Sequence, residues 1–268
     1  MVLFISEALG FPTGAPQRFA SRRNAPPRNA HQSSAGSDQT GIQPKPQPVK
    51  GFNPQEPMAI RRFDVAVEGV SSLLLSNNKC SDPLSQASRD KKFFTLKNKK
   101  ADQDHMNLRL IDWVHSGYWS KPGKVGIDDV ENTVTFDGFA DLTLPSENFA
   151  RCLRNGATAF RLGKEVTRAL IVENEPLIEY EGPRTAAEMV AESRFIMTSP
   201  VVRQKTTNWV TRLILPQWSV NYQITVDDER ISVSDLERIV QTAGKFEGLG
   251  TWRPRYGRFT AELTELEA

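Results

Sequence analysis

Hydrophobic and polar positions first fall into order in "RFDVAVEGVS", where Phe63, Val65 and Val67 alternate with Asp64, Ala66 and Glu68. That two-residue period predicts a strand buried on one side. It leads into "SLLLSNN", a short apolar run that stops at a polar turn. The same period returns in "SVNYQITVD", through Val220, Tyr222, Ile224 and Val226, and in "RFTAELTEL", through Phe259, Ala261 and Leu263. Helical spacing lies between these strands. In "SENFARCLRNGATAF", Phe149, Cys152, Leu153, Ala157 and Phe160 share one face, with Pro145 at the boundary and Ser146 as the expected cap. In "SDLERIVQTAG", Leu236, Ile239, Val240 and Ala243 do the same, with Ser234 and Glu237 as a capping box and Gly244 as the stop. Two strand-helix-strand units predict an α+β fold: a ferredoxin-like or RNA-recognition-type antiparallel sheet with its helices on one face and insertions between elements. The other face of that sheet is then free to bind.

The remaining segments carry weaker patterns. Residues 79–104 are polar and rich in lysine (Lys91, Lys92, Lys97, Lys99 and Lys100), and read as an exposed, mobile excursion within an insertion spanning about residues 78–135. In "HMNLRLIDWVHSGYW", Leu108, Ile111, Trp113 and Val114 fit either a short helix or a strand, and "NTVTFDGFADLTLP" reads as extended chain. "ALIVENEPLIEYEG" reads as further strand, a polar helix starts near Thr185, and "PVVRQKTTNWVTRLILPQW" reads as a hairpin or an irregular projection. Residues 1–57, rich in Pro, Ser and Arg with no apolar period, are expected to be a disordered tail. The tail is read either as a genuine extension, such as a targeting peptide, or as an over-extended start before Met58. A single folded domain then covers residues 58–268.

Charge narrows the partners. The formal net charge of the chain is +2, but the tail holds six basic and three acidic residues. Of the chain's 34 basic and 32 acidic residues this leaves 28 and 29 in the body, which is close to neutral. Such a body binds a phosphate polymer only by concentrating its cations on one surface. Two cysteines, Cys80 and Cys152, and three histidines make neither a disulfide framework nor a structural zinc site, so no metal or cofactor is expected. With no apolar run long enough to span a bilayer, the expectation is a cytoplasmic protein.

Against that background "GKFEGLGTWRPRYGRF", residues 244–259, stands out. It ends in no Lys-Ser/Thr pair, and Gly248 and Gly250 are followed by Thr251, Trp252 and Arg253, so neither common nucleotide-binding glycine motif is present. It reads either as a connecting loop or as a phosphate cradle. In the second reading Gly248 and Gly250 allow close backbone approach, Arg253, Arg255 and Arg258 pair with phosphates, and Trp252 and Tyr256 stack on bases. Arg151 and Arg154 lie off the apolar face of the first helix and extend that surface, or are simply solvated. His105 and His115 have the chemistry of a general base, although nothing in the sequence pairs either with an acid.

"LTLPSENFARCLRNGA", residues 142–157, resembles the strand, Ile-Pro-Gly-Ser-Ser turn and Leu-Lys-Gly-Ala-Leu-Arg helix of the RAMP superfamily, the RNA-binding proteins of CRISPR effector complexes. "GLGTWRPRYGRF" resembles that superfamily's C-terminal glycine-rich loop before its last strand, and the layout over residues 60–266 is similar to the backbone subunit that repeats along guide RNA. Glu147 and Asn148 replace the small residues of the motif, and Ala150-Arg151-Cys152 stands where Lys-Gly-Ala is expected. The resemblance implies a non-catalytic protein that binds guide or other single-stranded RNA alongside copies of itself or other effector subunits. It implies a thumb over about residues 184–216, with Arg203, Lys205 and Arg212 facing the nucleic acid around Trp209, which reads equally as a core residue. For relatives that cleave target RNA it implies an early-loop aspartate, for which Asp82 and Asp90 are the formal candidates. A repeat-processing endoribonuclease and a stand-alone scaffold, cellular or viral, share the same fold.

Overall fold

A computed structural model describes residues 60–77, 82–203 and 205–267, with only the backbone of Arg203. The expected tail and Cys80 lie outside the described residues. The chain begins with β1 (Ile60–Gly69) and β2 (Leu73–Leu74), followed by α1 (Gln86–Thr95) and α2 (Asp102–Ser116). Short strands follow: β3 (Trp119–Lys121), β4 (Lys124–Asp128), β5 (Thr133–Asp137) and β6 (Ala140–Leu142). Then come α3 (Ser146–Thr158), α4 (Gly163–Ala169), β7 (Leu170–Val172) and α5 (Ala186–Met189). The chain closes with β8 (Ile196–Arg203), β9 (Thr206–Leu215), β10 (Ser219–Asp227), α6 (Val233–Thr242) and β11 (Phe259–Leu266). No described helix is long and apolar enough to cross a membrane.

The fold is mixed α and β, organised by a four-stranded sheet of order β11-β1-β10-β7 in which every neighbouring pair is antiparallel. Register places Val65 opposite both Tyr222 and Leu263, so the alternating apolar positions of three strands line up in one row. Phe63, Val65, Val67, Val220, Tyr222, Ile224 and Val226 are buried there with Phe149 and Leu153 of α3 and Leu236, Ile239 and Val240 of α6. The Phe149 ring stacks on Tyr222 at 4.1 Å between centroids. Each such aromatic removes enough apolar area from water to stabilise the fold by about 1.5–3 kcal/mol. On the opposite side of the sheet Arg62, Asp64, Ala66, Glu68, Asn221, Gln223, Thr260, Glu262 and Thr264 are exposed or half-buried.

Two local expectations are corrected and one open alternative is decided. The lysine-rich segment contains a capped helix: Ser85 Oγ accepts from Ser88 N, and Ala87, Asp90 and Phe94 are buried on one face. Its period is hidden because one buried position is an aspartate, and because Lys91 and Lys97 are held by Asp112 and Asp104. The segment that fitted either a helix or a strand is the helix α2, whose Ile111, Trp113 and Val114 are buried. The caps also move. Ser232, not Ser234, caps α6 by accepting from Asp235 N, while α3 starts after Pro145 with no side-chain cap from Ser146. Gly244 does not stop the last helix: a π-turn over Ala243–Glu247 extends it to Gly248, whose φ is 75°.

Candidate nucleic-acid interface

The glycine-rich loop is built onto the connection between β1 and β2. Thr251 N donates to Leu74 O and Gly257 N to Ser72 O, both at 2.9 Å, and Leu249 N donates to Gly257 O at 2.8 Å. Leu249 is fully buried beneath these bonds. The glycines answer to this architecture. A Cβ on Gly248 would meet Gly257 O at 2.8 Å, one on Gly250 would meet Leu74 O at 2.5 Å, and one on Gly257 would meet Leu249 O at 1.9 Å. All three have φ near 75°. The missing side chains make room for the chain's own backbone, so the groups left to face a ligand are the loop's arginines and rings.

Those groups meet α3. A cleft of about 440 Å³ is lined by Arg151 of α3, by Tyr118, and by Phe246, Gly250, Trp252 and Arg253 of the loop region. It continues into a second concavity of about 520 Å³ that shares Tyr118, Asn148 and Arg151. The walls also carry carboxylates, Glu247 in the first part and Glu147 and Glu175 in the second. Glu247 accepts from Asn155 Nδ2 at 3.3 Å, and Arg253 Nη1 donates to Gly248 O at 3.4 Å. Trp252 is half-buried, with the Arg212 guanidinium 4.7 Å from its ring centroid. Behind the cleft Cys152 is buried, and that burial pushes its thiol up to about 12, which keeps it protonated and unreactive at neutral pH.

The expected site residues therefore separate. Arg151, Gly250, Trp252 and Arg253 come together in the cleft. Gly248 shapes the loop, and Arg255 and Arg258 are exposed on it, with Arg255 5.6 Å from the Tyr256 ring. Arg154 lines a different concavity, with Arg161, Lys164 and Arg168. Segment 196–215 is a hairpin, β8 paired with β9, and α2 packs on β9. Arg212 is not on an exposed thumb surface: it is 8% exposed and stacks on Trp252, which ties the hairpin to the loop. Lys205 is exposed at the hairpin turn, Arg203 precedes it, and Trp209 is 53% exposed with Arg109 5.8 Å from its ring.

His105 is exposed on α2 and outside the cleft lining. His115 Nε2 lies 2.7 Å from Asp90 Oδ2, and Asp90 also accepts from Gln86 Nε2 at 2.7 Å, an arrangement that fastens α1 to α2. Asp82 shapes the turn before α1 by accepting from Leu84 N at 2.9 Å. Sequence reasoning missed Tyr118 and Phe246. Phe246 lies three residues after Ala243, a continuation of the buried face of α6, but the wider π-turn carries it to 59% exposure. The aromatic residue immediately after a glycine-ended helix was the only signal for Tyr118, and its place in the cleft depends on tertiary packing.

Compared with known proteins, the chain matches no family model and no curated protein sequence.

Proposed function

We propose that this is a non-catalytic RNA-binding protein with a ferredoxin-like domain of the RAMP type, which takes single-stranded or guide RNA in the cleft between α3 and the glycine-rich loop. The observation that carries this reading is the meeting of Arg151 and Arg253, from two distant motifs, in one cleft with the rings of Tyr118, Phe246 and Trp252. Cations that follow a phosphate backbone beside rings on which bases stack are what single-stranded nucleic acid requires. The sheet supports the fold half of the reading. With β7 counted as the second core strand, the order β11-β1-β10-β7 is fourth-first-third-second, and helices lie in the first-to-second and third-to-fourth connections.

In this reading RNA passes by the loop and not across the open sheet face. RNA-recognition domains stack bases on aromatic side chains of that face. Here its exposed positions on β1, β10 and β11 hold Asp64, Glu68 and Glu262 and no aromatic ring. Copies of the protein, or other effector subunits, assemble side by side along the strand. An endoribonuclease of the same fold needs a proton acceptor at the bound RNA; neither His105 nor His115 lines the cleft, and that role would fall to Glu247, Glu147 or Glu175.

The test is an Arg151→Ala, Arg253→Ala double variant titrated with fluorescent single-stranded RNAs of unrelated sequence. Affinity falls alike for all of them, and the slope of log K against log salt becomes shallower by about 1.4, at about 0.7 per phosphate contact. Unchanged affinity and slope in the folded variant would mean that Arg151 is a solvated helix residue and the loop only joins a helix to a strand, as in a scaffold protein that contacts protein alone.

A further inference from the structure

Helix α3 carries Arg151 into the cleft and Arg154 away from it. The two are one turn apart on the exposed side of the helix, about 4.5 Å along its axis. Arg154 opens onto a concavity of about 600 Å³ between α3 and α4, which Arg161, Lys164 and Arg168 line with Thr158, Gly163 and Thr167. No carboxylate and no aromatic ring is among the lining residues. Among the described residues Arg154, Arg161 and Lys164 have no ion pair, and Arg168, whose side chain is 65% exposed, reaches only Glu165, at 3.5 Å. An exposed pair of that kind contributes little to stability and leaves Arg168 open to exchange the carboxylate for another anion.

Four like charges around one hollow repel each other, and a near-neutral body has gathered them here while its open sheet face carries, among the described residues, Asp64, Glu68 and Glu262 beside the single cation Arg62. We infer that the concavity between α3 and α4 is a second RNA surface, which receives the phosphate backbone of the same single strand as it leaves the loop cleft across Arg151 and Arg154. Because no ring lines it, this surface holds phosphate and reads no base. The inference rests on the RNA-binding reading of the cleft and adds the direction in which the strand runs.

The experiment compares the wild type with an Arg161→Ala, Lys164→Ala, Arg168→Ala variant on two labelled RNAs, one of about six nucleotides and one of about 16. None of the three side chains lines the cleft, so both proteins should bind the short RNA equally. On the long RNA the variant should bind at least about tenfold more weakly at low salt, with a salt slope shallower by about two. Equal affinity and slope on the long RNA, with wild-type binding intact, would overturn the second surface and leave the cleft standing. Failure of the wild type to bind either RNA would overturn both. Lys164→Glu alone, a change at one exposed position, repeats the comparison if the triple variant does not fold.

Discussion

At Gly257 the backbone has φ 74°, and the Cβ it lacks would stand 1.9 Å from Leu249 O. Left-handed backbone alone costs an L-residue about 1–2 kcal/mol, and here the loop must also move off its own carbonyl. Gly257→Ala is therefore expected to destabilise the fold by about 2 kcal/mol or more in urea unfolding, whereas Arg255→Ala, an exposed change two residues away, stays within about 0.5 kcal/mol. A Gly257→Ala variant as stable as the wild type would refute the close loop packing. The residue scale also shows where the sequence misleads. Glycines beside arginines invite a ligand-based explanation, yet Gly248, Gly250 and Gly257 are each accounted for by a main-chain contact inside the protein. The chemistry offered to a ligand rests with Arg151, Arg253 and the neighbouring rings.

Among the elements, β1, β10, β11, α3 and α6 were legible because each buries one side only, so its period survives in the residue types. The start of α2 was not, because its buried positions include the polar Asp104 and Asn107, both of which bond to the distant Asn132. Asp104 accepts from Lys97 Nζ at 2.6 Å, from Ala101 N at 2.8 Å and from Asn132 Nδ2 at 3.1 Å, which joins the start of α2 to the turn between β4 and β5. The hydrogen bond from Lys97, followed by that from the Ala101 N–H, holds its carboxyl below the usual range. A carboxyl depressed in the folded state stabilises the protein above its unfolded value of about 3.9, and that contribution fades as pH falls through the folded value. Asp104→Asn should thus melt below the wild type at neutral pH, with the gap closing as pH falls below about 4. A gap independent of pH would show that the ionised carboxylate does not hold these segments together. The cleft was legible only in part, for the same reason. Arg151, Trp252 and Arg253 belong to recognisable local motifs, while Tyr118 joins them only through the packing of residues between α2 and α3 against the loop.

Among the described residues of the whole molecule, cations are grouped at two hollows. Arg151 and Arg253 meet in the cleft beside Glu247; Arg154, Arg161, Lys164 and Arg168 line a second hollow; and the exposed or half-buried strand positions on the open sheet face hold Asp64, Glu68 and Glu262 with Arg62. This meets the condition that a near-neutral body must satisfy to hold a phosphate polymer without binding every anion it encounters. RNA binding is tested most directly by one titration: the full chain against fluorescent single-stranded RNAs of increasing length, repeated at rising salt. The expected result is tight binding at low salt, a number of bound copies that grows with RNA length, and log K falling linearly with log salt by about 0.7 for each phosphate neutralised. No affinity for RNA of any length at low salt would contradict RNA binding.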